Sequence, residues 1–501
     1  MRPHFSRSTF LRGAFGIAVA GVGLAGATRL PASDAAPDTG SAGGNAGAAG
    51  SASGSGTGSF DPKWRALQGK LRGRLITPGD LGYSDTKQVF NTRFDPDMPA
   101  AVVQVAETGD VATALEFAAE NDLRVAPRAG GHSYAGESTA TGTLIIDVRG
   151  LRGVRVQGEQ TVVRAGHTLY EIYQELDRFG RSLPTGMCPT VGVAGLTLGG
   201  GLGFESRAYG LTGDRLTAAT LVLPDGSITE VSDDNRPDLF WALRGGGALL
   251  GVVTSLTFDT IPATPKDVVR LTFWGEDAEH VISGWQEWLR AAPREQWADV
   301  SVDADGSGGL HCWLQLVCPA GSAETVTAAL IDAIGIAPRE TDVRTLSHME
   351  TVLYLAGGVV DQPRAEFTNG SDIVPALTPD VIAAILDVMT RFSSVGGTGW
   401  VQINTLDGAI RDLTPTATAF PWREHAALVE WGAFEPIPHD SALTWLSDAH
   451  ATLAPYSVGA YVNYLEPGDP VSRYYGANYP RLAKLRNLVD PNTLIHSTLA
   501  P

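Results

Sequence analysis

Two glycine-rich stretches constrain this chain more than anything else in it. The first is RAGGHSYAG, Arg128 to Gly136, which sets one histidine among three glycines and a serine directly after the apolar run RVAP. The second is TGMCPTVGVAGLTLGGGLG, Thr185 to Gly203, in which a lone cysteine precedes a dense run of glycines. Glycine lacks a Cβ and tolerates left-handed backbone, so loops this rich in it let main chain come close to a bound group. A fold that carries both must bring two separate loops to one place or use each for a different ligand.

Neither stretch reads as a nicotinamide-type fingerprint. GGGLG (Gly199 to Gly203) and GGGALLG (Gly245 to Gly251) match G-x-G-x-x-G only loosely. The second runs into β-branched VVTSLTF rather than a helix, and neither has an acidic residue at the required distance. The formal charge of −18 argues against nucleic acid or an anionic membrane as partner, because a polyanion needs a Lys/Arg surface. With 501 residues there is room for two or three domains.

The N-terminus reads as processing rather than fold. Arg2, Arg7 and Arg12 precede an apolar run from Gly13 to Ala27, the length of a signal-peptide core and too short to span a bilayer comfortably. Small-residue cleavage sites lie at Ala25–Ala27 and Ala32–Ala36. SRSTFLRG resembles a twin-arginine export signal with Ser8 in place of the second arginine. Residues 1–35 are expected to be this signal, and residues 36–60, nearly all Ala, Gly, Ser and Thr, a disordered linker. The expected destination is secreted or periplasmic, with no membrane attachment after processing. Of the three cysteines, Cys312 and Cys318 flank WLQLV and lie too far apart along a strand to bond. They read as core residues, and Cys188 is left as the thiol with a separate task.

From Asp61 onward the chain is globular in texture. AAVVQVAE reads as a strand, followed by a helix from Asp110 as N-cap. RVAPRAGG is a second strand running into the glycine loop. A further amphipathic helix sets Leu169, Ile172, Tyr173, Leu176 and Phe179 on one face, with Gly180 as its stop. After Pro265 helices alternate with the strands ADVSVDA, LHCWLQLVC, GWVQINTLDG and ALVEWGAF. The first and last of these helices begin with acidic capping residues. The grouping predicts an antiparallel sheet covered by helices on one face, an α+β arrangement.

Taken in order, PRAGGHSYAG, CPTVGVAGLTLGGGLG, YGLTGDRL, DLFWALRGGG, TAFPWREHAALVEW, YVNY and YYGANYPRL resemble the berberine bridge enzyme family. That family lies within the vanillyl-alcohol-oxidase superfamily, whose FAD-binding domain is called PCMH-type. The resemblance runs from about Phe90 to the C-terminus. It implies a FAD-binding domain at 61–262, a substrate-binding domain at 263–455, and a C-terminal segment, 456–501, returning to the FAD domain. By the same resemblance His132 bonds to the flavin 8α-methyl and Cys188 to flavin C6, so that the FAD is held bicovalently. Imidazole and thiolate are the nucleophiles suited to an electron-poor ring. Arg128, Gly130, Gly131, Ser133, Gly136, Gly192 and Gly195 would present backbone N–H groups to the pyrophosphate, and Gly251 to Val253 would contact the adenosine half. Val191 falls where the family gates oxygen access, and valine resembles the oxidases.

Oxidation of an alcohol needs a base for the hydroxyl proton while the hydride leaves. The resemblance offers Tyr461 as base or relay, with Asn463 orienting it. Read as a strand, YVNY points Tyr461 and Asn463 to one face and Tyr464 to the other. Glu430 in ALVEW is the second candidate, as base or as activator of Tyr461. Gln402 and Asn404 share a strand face and could reach substrate hydroxyls. The implied function is an FAD-dependent oxidase removing a hydride from an alcohol carbon of a sugar or a hydroxylated secondary metabolite, with molecular oxygen reduced to hydrogen peroxide. The alternatives are a dehydrogenase with another acceptor, or a flavin-bearing protein with little turnover.

Overall fold

The computed structural model describes residues 61–434 and 436–498. The expected signal peptide and linker therefore lie outside the described residues. Two sheets come from the first half of the chain. One is four-stranded, in the order β1-β2-β4-β3, from β1 (Arg74–Ile76), β2 (Ala101–Gln104), β3 (Val125–Arg128) and β4 (Leu144–Asp147). Its β2-β4-β3 part is parallel, and a helix, Thr108–Glu120, connects β2 to β3 as a parallel crossover requires. That helix starts three residues earlier than its sequence suggests. Glu107 is the N-cap and Asp110 sits at N3, its carboxylate taking the backbone N–H groups of Arg72, Gly73, Ala106 and Glu107.

The second sheet is antiparallel, in the order β5-β6-β10-β8-β9. It is built from β5 (Val154–Gln157), β6 (Gln160–Arg164), β8 (Leu216–Val222), β9 (Ile228–Ser232) and β10 (Val252–Asp259). A two-stranded ribbon, β7 (Arg181–Ser182) with β11 (Ile261–Pro262), closes this region. The amphipathic helix runs Leu169–Asp177 and buries Leu169, Ile172, Tyr173 and Leu176, but Phe179 lies beyond its end and is 61% exposed.

The third sheet has seven antiparallel strands in the order β15-β12-β14-β13-β17-β18-β16. They are β12 (Lys266–Trp274), β13 (Trp297–Asp305), β14 (Leu310–Pro319), β15 (Glu340–Leu346), β16 (Phe367–Val374), β17 (Thr398–Thr405) and β18 (Ala427–Phe434). Helices Ala278–Ala291, Ala323–Ile334, Pro379–Ser394 and His439–Leu453 cover one face and share a core with it. The N-caps of the first and last are Asp277, whose side chain makes no capping bond, and Pro438. Both cysteines of LHCWLQLVC are buried in β14 and form no disulfide.

Strand periodicity decides what the other face offers. Val269 and Leu271, Ala298 and Val300, Leu314 and Leu316, Val401 and Ile403, Val429 and Trp431 all enter the helix-covered core. Each such buried aliphatic contributes about 1.5–3 kcal/mol. The residues between them, Arg270, Asp299, Gln315, Gln402 and Glu430, must then face the opposite way, and there they line a cavity.

Candidate active site

That cavity, of about 320 Å³, lies where the two glycine loops, the seven-stranded sheet and the C-terminal segment meet. The loops abut each other. A Cβ on Gly130 would stand 2.2 Å from the backbone nitrogen of Gly192, and one on Gly192 would stand 2.3 Å from that of Gly130. Only glycine permits this crossing, and Gly131 beside it takes φ +72°, in the left-handed region. His132 and Cys188 come from the two crossing loops and both line the cavity.

His132 is half-buried, stacked on Phe90 at 4.1 Å, and bonded to the backbone at Thr190. Burial pushes its pKa down to about 3, so the imidazole is neutral. The Cys188 sulfur sits 2.9 Å from Gln362 Oε1, and burial pushes the thiol up to about 11. Gly130, Gly131, Ser133, Val191, Gly192, Gly195, Gly251 and Val253 also line the cavity. A Cβ on Gly195 would meet nothing within 4 Å, so this wall leaves room.

Arg128 lines the cavity, while its guanidinium turns into the protein, pairing with Asp147 at 2.8 Å and donating to the carbonyls of Thr86 and Lys87. One residue of the expected nest lies elsewhere. Gly136 is not on the cavity wall; its left-handed backbone is packed so closely that a Cβ would lie 2.7 Å from the Phe94 ring.

YVNY is not a strand. Tyr461 is the N-cap of a single 3-10 turn, Val462–Tyr464, and the turn brings Tyr461, Asn463 and Tyr464 to the cavity together. The period-2 reading separated Tyr464 from the other two, which a three-residue turn does not. The Tyr461 oxygen accepts from the Gly201 N–H and from Asn463 Nδ2, both at 2.8 Å. Burial pushes the phenol pKa upward, and the charge of Glu430 adds to the rise. With both bonds arriving from donors, its own O–H remains to be given, which suits a hydrogen-bond donor rather than a base.

Glu430 is fully buried on β18. Its Oε1 accepts from the Tyr134 hydroxyl at 3.1 Å and from Asn369 Nδ2 at 3.3 Å, and the Tyr464 hydroxyl bonds the same carboxylate. Tyr134 and Tyr464 stack at 5.2 Å, and Tyr464 meets Tyr461 edge-on at 5.1 Å. Glu430 thus bonds Tyr134 and Tyr464 directly and is not bonded to Tyr461. Desolvation raises its pKa to about 7. Gln402 and Asn404 line the cavity too, and the Gln402 amide donates to Asp299, a buried carboxylate likewise raised to about 7. Asp299, Arg270, Tyr134, Asn369 and Gln362 escape a reading by motif. The first two carry a faint signal, an ionic residue between apolar neighbours in a strand.

A family model described as FAD binding domain matches residues 99–232, and one described as berberine and berberine-like matches residues 460–498. An uncharacterized FAD-linked oxidoreductase of Bacillus subtilis is 29% identical over 85% of this chain and 96% of its own length. A xylooligosaccharide oxidase of Thermothelomyces thermophilus is 29% identical over 81% of this chain and 88% of its own length. The solved structure of Physcomitrella patens BBE-like 1 superposes with a TM-score of 0.80 at 25% identity, covering 87% of this chain and 98% of that one.

The chain carries the FAD-binding and berberine-like domains found in berberine-bridge-enzyme-like FAD-linked oxidoreductases. In this chain the two matched segments converge on one cavity. The first supplies the His132 and Cys188 loops, and the second supplies Tyr461, Asn463 and Tyr464. A neutral imidazole and a thiol on crossing loops, with glycine walls beside them, fit FAD.

Proposed function

We propose that this chain is an exported oxidase that takes a hydride from an alcohol carbon of an oligosaccharide or a hydroxylated secondary metabolite. His132 would hold FAD through the 8α-methyl and Cys188 through C6. When bound, FAD supplies the two-electron acceptor, and molecular oxygen, reduced to hydrogen peroxide, restores it. In this reading residues 61–262 with 456–501 form the flavin unit, 263–455 form the substrate unit, and residues 1–35 direct export.

The observation that carries the reading is Glu430. It is a carboxylate held dry, titrating near neutrality, and presented to the cavity between two phenols. Its oxygen receives the substrate hydroxyl proton, while Tyr134 and Tyr464 hold the carboxylate in position. Tyr461, its proton tightly held, donates to the oxygen that becomes the carbonyl, and Asn463 fixes the orientation of that phenol. Gln402 and Asn404 receive further hydroxyls. Val191 on the wall is the basis for oxygen as acceptor, and the similarity to a xylooligosaccharide oxidase supports a carbohydrate.

Acid precipitation and peptide mapping test the cofactor. The pellet should stay yellow and carry flavin mass on the peptides holding His132 and Cys188. A pellet that sheds all colour as free dinucleotide overturns the attachment. One hydrogen peroxide per alcohol oxidised in air is expected, and turnover only with an artificial electron acceptor would overturn the oxidase.

A further inference from the structure

The sheet wall of the cavity carries a polar ladder of which the oxidation uses only one end. Arg270 on β12 pairs in register with Gln315 on β14, and Gln315 with Asp299 on β13. Two residues along, Gln402 on β17 faces Glu430 on β18. Glu430 ends the ladder at the reacting carbon, and Arg270 ends it four strand spacings away, about 19 Å at the backbone. A single sugar ring does not bridge that span.

The state of Arg270 suggests what it waits for. Its guanidinium lies 4.1 Å over the Trp313 ring, and its Nη2 is buried with no hydrogen-bond partner. Arg128, the other arginine on the cavity wall, pairs with Asp147 at 2.8 Å, so that its charge is balanced although its Nε is buried without a partner. The carboxylates near Arg270 are engaged elsewhere: Asp303 accepts from Trp313 Nε1, and Asp342 accepts from Arg344 and Tyr354. Asp299 takes the Gln402 amide on one oxygen, and its other oxygen, Oδ1, is buried without a partner. A desolvated donor atom, Arg270 Nη2, and a desolvated acceptor atom, Asp299 Oδ1, both without a hydrogen-bond partner on a cavity wall, are costly unless a ligand completes them.

We propose that Arg270, with Asp299 beside it, binds a carboxylate on the substrate at least one sugar unit beyond the carbon that is oxidised, so that the substrate class is an acidic oligosaccharide or glycoside. The assignment rests on the oxidase reading for which carbon reacts, but not for the binding itself. A planar carboxylate matches the two-donor edge of a stacked guanidinium. A neutral hydroxyl leaves the cation's desolvation uncompensated, and a phosphate dianion brings a second negative charge up to Asp299 and Asp303.

The test is calorimetric titration of the holoenzyme, wild type, Arg270→Gln and Arg270→Lys, with cellobiose and with cellobiouronic acid, which differ only by the carboxylate on the non-reducing unit. Wild type should bind the acid roughly ten- to a hundred-fold more tightly than the neutral sugar. In Arg270→Gln that ratio should fall to about one, and Arg270→Lys should keep part of it. Equal binding of both sugars by wild type overturns the proposal, as does an unchanged ratio in Arg270→Gln. Turnover of the same two sugars is read in parallel. An intact acid preference without hydrogen peroxide would remove the oxidase reading and leave the carboxylate site standing, and hydrogen peroxide without an acid preference would do the reverse.

Discussion

A carboxylate kept out of water by two tyrosines is tuned for chemistry at some cost to the fold. Glu430 titrates near 7 rather than near 4.5 because burial outweighs the hydrogen bonds from Tyr464, Tyr134 and Asn369. As the proposed base it must be ionised, so kcat/KM should rise with pH through about 7. Glu430→Gln should abolish that limb and lower the rate by about 10²–10⁴-fold. The sign for stability is opposite. Because the folded pKa is raised, the native state binds the proton more tightly; its stabilising contribution is complete below pH 4.5 and lost as pH rises through 7. Thermal melts between pH 5 and 8 should therefore show a smaller fall for Glu430→Gln than for wild type. Asp299 is raised to about the same value and acts on Glu430 through its charge, so the wild-type limb belongs to the pair. Asp299→Asn should shift the limb to lower pH without abolishing it, and a limb left unmoved by both variants would remove Glu430 from the mechanism. Tyr461 carries the complementary lesson. The motif identified it as a site residue, but its environment, two donors on one oxygen and a pKa raised by burial and by the charge of Glu430, fits it to donate a proton.

Elements position these residues through contacts that no local pattern encodes. The 3-10 turn bearing Tyr461 is held by a charged knot behind it. His450 donates to Asp372 and Glu466, each at 2.8 Å, and Arg473 bridges Asp372, Glu466 and Asp469. The same knot reaches the sheet, since the Ser371 N–H bonds Glu466 and the Ser371 hydroxyl receives the Tyr461 N–H. His450 is raised to about 9 by its two carboxylates. Its contribution to stability is complete below the unfolded value near 6.5 and is lost as pH rises through 9. His450→Gln should cost about 2–4 kcal/mol at pH 6 and much less at pH 9.5, measured by denaturant unfolding. A cost independent of pH would mean that the ring packs rather than pairs. The glycine crossing is the second such contact. Gly192→Ala places a methyl 2.3 Å from the Gly130 nitrogen, so the loops must part. The flavin-to-protein absorbance ratio of the purified variant should fall, while far-ultraviolet circular dichroism stays near wild type.

At the scale of the molecule, the glycine loops and the helix-covered antiparallel sheet were legible because each is a local signal, a composition or a period, and the family resemblance pointed to His132, Cys188 and Tyr461, which line the cavity. What was not legible depends on register and on distant pairing. The polar ladder needs five strands in alignment, the Arg128–Asp147 pair joins parallel neighbours, and the turn at Val462–Tyr464 is imposed by the knot at His450. The C-terminal segment shows how far that non-local wiring goes. It leaves the large sheet at Gly459, bridged to Ile373, and ends at Ile495, bridged to Val125 in the four-stranded sheet, with Ala460, Tyr474 and Leu482 in the core between. A cofactor lying where these parts meet adds its binding energy to the stability of the fold. With both proposed tethers in place FAD would not dissociate, so the melting temperature of wild type should not respond to added FAD. Changing both His132 and Cys188 to Ala turns the tether into an equilibrium. That variant should be colourless after gel filtration and melt lower, and its melting temperature should climb with added FAD, by about 2.7 kcal/mol in stability at a hundred times Kd. A double variant that keeps its colour through gel filtration, or whose melt ignores FAD, would mean that the two side chains do not retain the cofactor.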